Sequence, residues 1–169
     1  VKGVGDGGSR IYFGVCPSPH GQIYFAPCNS LTVMCLSVTN TLRDLEERSS
    51  RLGYDRQRIS FIQGAGSEGA STYNGIRVGP DGRLYCASYN SSTVLVIDPG
   101  TQTLSFIEGA GEGGEKYKGI CAGPDGRLYC APGDASTMLV IDPEMRSLSF
   151  IEGAGSGGQK YNGICMAPN

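Results

Sequence analysis

Apolar residues between positions 117 and 160 gather in four short runs, GICAG, RLYCA, TMLVI and SLSFI. The runs are rich in Val, Ile, Leu, Tyr and Phe and are bounded by turn-forming residues, which predicts four short strands. Gly123-Pro-Asp-Gly126 joins the first pair; proline presets φ and glycine accepts positive φ, as a tight turn requires. PGDAS joins the second pair and DPEMR the third, where proline lacks an N–H and ends a strand. Met138 to Ile141 is apolar at every position, so this strand belongs in a sheet covered on both faces.

The same pattern recurs without a gap over residues 73–116, so that Tyr73, Tyr117 and Tyr161 stand 44 apart, as do Gly75, Gly119 and Gly163. A more diverged copy starts at Tyr12, with Gly14, Gly21, Tyr24 and Asn29 in the places of Gly75, Gly82, Tyr85 and Asn90. It runs 61 residues to Tyr73 instead of 44, and the excess lies within TNTLRDLEERSSRLGYDRQR. Residues 40–57 predict a helical insertion, with Asn40 or Thr41 as N-cap and Arg43/Glu47, Asp44/Arg48 and Glu47/Arg51 pairs at i,i+4.

Four antiparallel strands in a repeat of about 40–50 residues is the signature of a β-propeller blade, a unit that cannot cover its own faces and is stabilised by stacking. The expected fold is all-β: blades of four antiparallel strands on a 44-residue repeat, in an open, incomplete propeller. The expected division is residues 1–11 as the end of a preceding blade or its loop, 12–72 as a blade with the insertion, and 73–116 and 117–160 as blades. Residues 161–169 are expected to be the first strand of a next blade. Closed propellers have about four to eight blades. Three blades therefore read as a segment of a larger ring, whose open faces invite self-association.

The stretch GPDGRLYCASYNSSTVLVIDPGTQT, residues 79–103, resembles propeller repeats of the YVTN, NHL and SMP-30 type. In those, a PDG-x-(L/I)-Y turn and strand precedes a (V/L)xVIDPxTxT strand and turn. The resemblance implies propeller architecture over essentially the whole chain outside the insertion. For function it implies several outcomes: pure binding proteins, sugar-lactone hydrolases with a central divalent metal, and streptogramin lyases. Fold alone does not select among them.

Gly109-Ala-Gly-Glu-Gly-Gly114 reads as G-x-G-x-x-G, the glycine pattern of dinucleotide loops. Such a loop opens a helix, so that the pyrophosphate meets the helix N-terminus. Here it leads into the strand pattern Tyr-x-Gly-Ile, and it occurs four times, from Gly3, Gly64, Gly109 and Gly153. The expectation is a connection from the outer strand of one blade to the inner strand of the next, with no cofactor.

Composition narrows the classes. Hydrophobic residues make up 39% and the net charge is −2, so neither disorder nor a nucleic-acid footprint is expected. No apolar run approaches the roughly 18 residues of a membrane span. The seven cysteines are odd in number and include no C-x-x-C pair, which disfavours a disulfide framework or a zinc site. Free thiols lean towards a reducing, intracellular compartment.

Cys86 and Cys130 share a second-strand position with Phe25, which marks a packed apolar site. Cys16, Cys121 and Cys165 share a position on the channel-lining first strand, where Arg77 stands in the second copy. His20, the one histidine, takes the turn position of Asp81 and Asp125, so no Ser/His/Asp triad is expected. Asp98 and Asp142 precede prolines and read as turn caps.

The candidate binding residues follow from the topology. Asn29, Asn90 and Asp134 share the loop between second and third strands, on the rim that carries Glu68, Glu112, Tyr73, Tyr117 and Tyr161. Arg77 breaks the repeat on the inner strand and is placed to meet an anionic group in the channel. The leading reading is a binding or scaffold module for a protein or small-molecule ligand, with no catalytic site of its own and no metal. The second is part of a metal-dependent lactone hydrolase or lyase, with rim oxygens around a divalent cation such as Ca2+.

Overall fold

The computed structural model describes residues 11–37, 58–66 and 71–167. The helical insertion, Glu68 and the glycine loop from Gly3 lie outside them. The described residues form three four-stranded antiparallel sheets and no helix. The first sheet is β1 (Tyr12–Pro17), β2 (Gln22–Pro27), β3 (Thr32–Ser37) and β4 (Arg58–Gln63). The second is β5 (Tyr73–Val78), β6 (Leu84–Ser88), β7 (Thr93–Asp98) and β8 (Thr103–Glu108). The third is β9 (Tyr117–Ala122), β10 (Leu128–Pro132), β11 (Met138–Asp142) and β12 (Ser147–Ile151). Each sheet keeps sequence order from inner to outer strand, and the ring is open, as the repeat predicts.

The sheets stack face to face. Tyr24, Ala26, Val33, Cys35 and Ala65 on the back of the first meet Tyr73, Ile76, Leu84, Cys86, Leu95 and Ile97 on the front of the second. One repeat later, Tyr85, Ala87, Val94, Val96, Ile107 and Ala110 meet Tyr117, Ile120, Leu128, Cys130, Leu139 and Ile141. β7 is thus buried on both faces, Val94 through Ile97. Each large aliphatic side chain buried this way contributes about 1.5–3 kcal/mol relative to exposure.

Near the axis the inner strands converge. Each pairs with its neighbour through a local shift of register at its glycine, between Tyr12 and Val15 and again between Tyr73 and Ile76. Gly14, Gly75 and Gly119 there have φ of +102°, +98° and +85°, conformations that an L side chain resists.

The Pro-Asp-Gly turns sit on the opposite rim. Asp81 accepts a 2.8 Å hydrogen bond from the Tyr85 hydroxyl, and the Arg83 guanidinium bridges Asp81 and Asp98 at 3.3 Å each. Asp125 receives Tyr129 at 2.8 Å in the same way. In the first sheet His20 replaces the aspartate, and Gln22 Oε1 instead accepts from the Tyr24 hydroxyl at 3.0 Å. Asp98 Oδ1 accepts from the amides of Gly100 and Thr101, and Asp142 Oδ1 from that of Met145, so both aspartates hold turns.

Candidate ligand-binding mouth of the channel

The β2–β3, β6–β7 and β10–β11 loops share a rim with the glycine connections, because each connection enters an inner strand at that end. Asn29 Oδ1 accepts from the Ser71 amide at 2.8 Å and its hydroxyl at 3.2 Å. Asn90 Oδ1 accepts from the Glu115 amide at 2.8 Å, and Asp134 Oδ1 from the Gln159 amide at 2.6 Å. Each donating residue has a left-handed backbone: Ser71, Glu115 and Gln159 have φ of 44°, 53° and 53°. Beside each clamp a backbone bond crosses the same gap: Thr72 N to Cys28 O, Lys116 N to Tyr89 O, and Lys160 N to Gly133 O, at 2.8, 2.9 and 3.0 Å. The three Asx residues therefore latch each β2–β3-type loop to the chain entering the next inner strand.

Lys116 belongs to this latch. Its side chain is buried, and Nζ donates to the carbonyls of Ser91 and Gly113 at 2.8 and 2.9 Å. Burial pushes its pKa down. One repeat earlier Thr72 holds the place, and its Oγ1 is buried without a hydrogen-bond partner.

The other candidates separate. Tyr73 and Tyr117 are 1% and 2% exposed, and the Tyr73 hydroxyl lies 3.2 Å from Thr93 Oγ1. Tyr161 is exposed, as is Glu112. Arg77 is exposed near the far end of β5, the strand that starts at the rim with Tyr73, and is paired with Tyr85 across the strands. The structure thus brings the Asx residues and the strand-opening tyrosines to one rim and leaves Arg77 apart.

Residues that the repeat-wide reading passed over complete the mouth. The second position of each inner strand holds Phe13, Asn74 and Lys118, and the loop position before the Asx residue holds Cys28, Tyr89 and Gly133. Phe13, Cys28, Asn29, Ser71, Asn74 and Tyr89 line a cavity of about 120 Å³. Beside it, Lys118 is 8% exposed, with Nζ 3.0 Å from Glu115 Oε2 and 5.6 Å from the centre of the Tyr89 ring. The Lys118 ammonium and then the Tyr89 hydroxyl hold Glu115 below the usual carboxylate range. Burial and the Glu115 hydrogen bond push Tyr89 up to about 12. The signal was in the sequence: these are columns in which all three copies differ. Among the described residues, no group of three or more His, Cys, Asp and Glu side chains is gathered to hold a metal ion. No described helix is long and apolar enough to cross a membrane.

The chain matches no protein-family model and no curated protein. Solved structures do match. A streptogramin B lyase is 16% identical with a TM-score of 0.64, over 83% of this chain and 40% of that one. A catalytically inactive histidine-to-alanine variant of virginiamycin B lyase from Staphylococcus aureus, solved with quinupristin, is 12% identical with a TM-score of 0.66, over 90% and 44%. Hydrazine synthase from Kuenenia stuttgartiensis is 19% identical with a TM-score of 0.58, over 93% and 40%. The chain spans less than half the length of each, and at such identities the likeness is one of fold.

Proposed function

We propose that this chain is a β-propeller binding segment, of the YVTN/NHL/SMP-30 kind, that takes a small polar ligand at the channel mouth and carries no catalytic site of its own. One observation carries the reading. Phe13, Asn74 and Tyr89 line a small polar cavity, with Lys118 beside it, and in each of these columns every copy carries a different residue. Side chains of unlike kind drawn from successive copies to one cavity suit a ligand that the repeat as such does not bind. Phe13 offers an apolar ring and Asn74 an amide, the mixture that small-molecule pockets use for affinity and orientation. The test is a thermal-shift screen of monosaccharides, amino acids and short peptides against the chain and its Asn74→Ala variant. A ligand that stabilises the parent and not the variant supports the reading. Equal stabilisation of both by every hit removes it.

The second reading is part of a lyase or lactone hydrolase, with a divalent cation such as Ca2+ held at the rim. Its support is the likeness to streptogramin B and virginiamycin B lyases. Against it stands His20, the single histidine, exposed in the β1–β2 turn away from the mouth, whereas the inactive lyase variant is named for a lost histidine. Incubation with quinupristin and Ca2+, followed by chromatography, separates the readings: a new product favours the enzyme.

A further inference from the structure

We infer, resting on the ligand reading above, that the group received at the channel mouth is a flat, uncharged heterocycle with a hydrogen-bond donor beside an acceptor on one edge, the chemistry of a nucleobase. It enters between the first two inner strands, not at the glycine connections.

The cavity that Phe13, Cys28, Asn29, Ser71, Asn74 and Tyr89 line measures about 120 Å³. Pockets for drug-sized ligands start at about 300 Å³, so the part of a ligand that enters this one is about a single ring.

None of the six lining residues is charged. The ions beside them are matched to each other: Lys118 Nζ lies 3.0 Å from Glu115 Oε2. The third copy makes room for this pair by omitting a side chain. A Cβ on Gly133 would collide with the Glu115 carbonyl oxygen and stand 3.1 Å from Lys118 Cε. The pair is thus built into the rim, and the lining offers an entering group no unpaired charge. A charged group would leave water without a partner there, at a cost an uncharged one does not meet.

The hydrogen-bonding groups select the edge. Ser71 gives both its amide and its hydroxyl to Asn29 Oδ1. The Tyr89 hydroxyl is bonded to Glu115, and the Cys28 thiol is a weak donor. Asn74 differs: it is half-buried, and its side-chain amide makes no hydrogen bond among the described residues. An amide presents a donor beside an acceptor, and its complement is an edge with an acceptor beside a donor, as asparagine finds on adenine. A sugar ring carries several hydroxyls, and each one buried without a partner weakens binding. The faces of a heterocycle need no such partners. Phe13 and Tyr89 supply aromatic surface for them, and base–aromatic contact favours every base.

The test is calorimetric titration of adenine, cytosine, uracil and glucose into the chain. At least one base should bind with a Kd below about 1 mM, and glucose should not bind. Asn74→Ala and Asn74→Asp should melt like the parent and bind that base at least about tenfold more weakly, the loss expected for a two-point hydrogen bond. The nucleoside 5′-monophosphate of the same base should bind no tighter than the base, because no unpaired cation lines the cavity to take the phosphate. A monophosphate at least about tenfold tighter than the base overturns the uncharged class. Failure of all three bases to bind overturns the inference, and so does base binding that both variants retain. Glucose bound in an Asn74-dependent way, with no base bound, overturns the inference and leaves the mouth a ligand site. If no ligand of any kind depends on Asn74, the ligand reading of the mouth falls with it.

Discussion

A Cβ on Gly75 would stand 3.1 Å from the Cα of Gly119 in the next sheet. The same contact recurs one sheet earlier, where a Cβ on Gly14 would be 2.9 Å from the Gly75 Cα. Backbone, not side chain, is the obstacle, and backbone cannot turn away. The inner strands can therefore converge only if this column stays glycine.

Gly75→Ala should accordingly cost about 2–4 kcal/mol, the sum of left-handed strain and overpacking against backbone. Gly21→Ala is the control. Gly21 has φ +76°, but no atom lies within 4 Å of its added Cβ. It should lose only the strain, about 1–2 kcal/mol. Urea unfolding of both variants measures the difference, and equal losses would show that the axial contact is unimportant.

The latch residues give a second prediction. Asn90 Oδ1 holds the Glu115 amide, and aspartate makes the same bond from Asp134 in the next copy. Asn90→Asp should therefore stay within about 0.5 kcal/mol of the parent, while Asn90→Ala should cost about 1–2 kcal/mol. The Glu115 amide should exchange faster in the alanine variant, because its protecting acceptor is gone. Unchanged exchange at Glu115 would mean the backbone bond from Lys116 to Tyr89 suffices by itself.

These two sites show what the sequence made legible. Strand number, turn positions and the propeller stack follow from the repeat, because each blade solves the same packing problem and signs its solution in the same columns. Asn29, Asn90 and Asp134 were visible as a column, yet a column cannot tell a ligand contact from a latch. That needed the positive φ of Ser71, Glu115 and Gln159, a long-range consequence of blade stacking. Lys118 and Tyr89 were hidden for the opposite reason. They lie in columns that vary, and only the geometry shows that the variation surrounds a cavity.

Acid should loosen the far rim. Hydrogen bonds from the Thr101 and Gly100 amides, with the Arg83 ion pair, lower the pKa of Asp98; the Met145 amide and Arg127 do the same for Asp142. A carboxylate with a lowered folded pKa adds stability that is full above the unfolded value, about 4, and is lost as pH falls through the folded value. Thermal unfolding from pH 7 to pH 2 should therefore fall off most steeply below about pH 4. The Asp98→Asn/Asp142→Asn double variant should have a shallower acid limb. A limb of unchanged slope would assign acid sensitivity to other carboxylates.

The thiols provide a direct reading of blade stacking. Cys86 and Cys130 are 0% exposed between sheets, and burial drives both pKa values well above the usual thiol range. Cys165 is exposed and Cys121 is half-buried. The thiolate is the reactive form, so both access and protonation protect the buried pair. Iodoacetamide at pH 8, followed by digestion and mass spectrometry, should label Cys165 first and Cys121 next. Cys86 and Cys130 should react only as fast as their sheets open, slower than Cys165 by about a thousandfold or more. Labelling of all four at similar rates would show that the sheets separate readily.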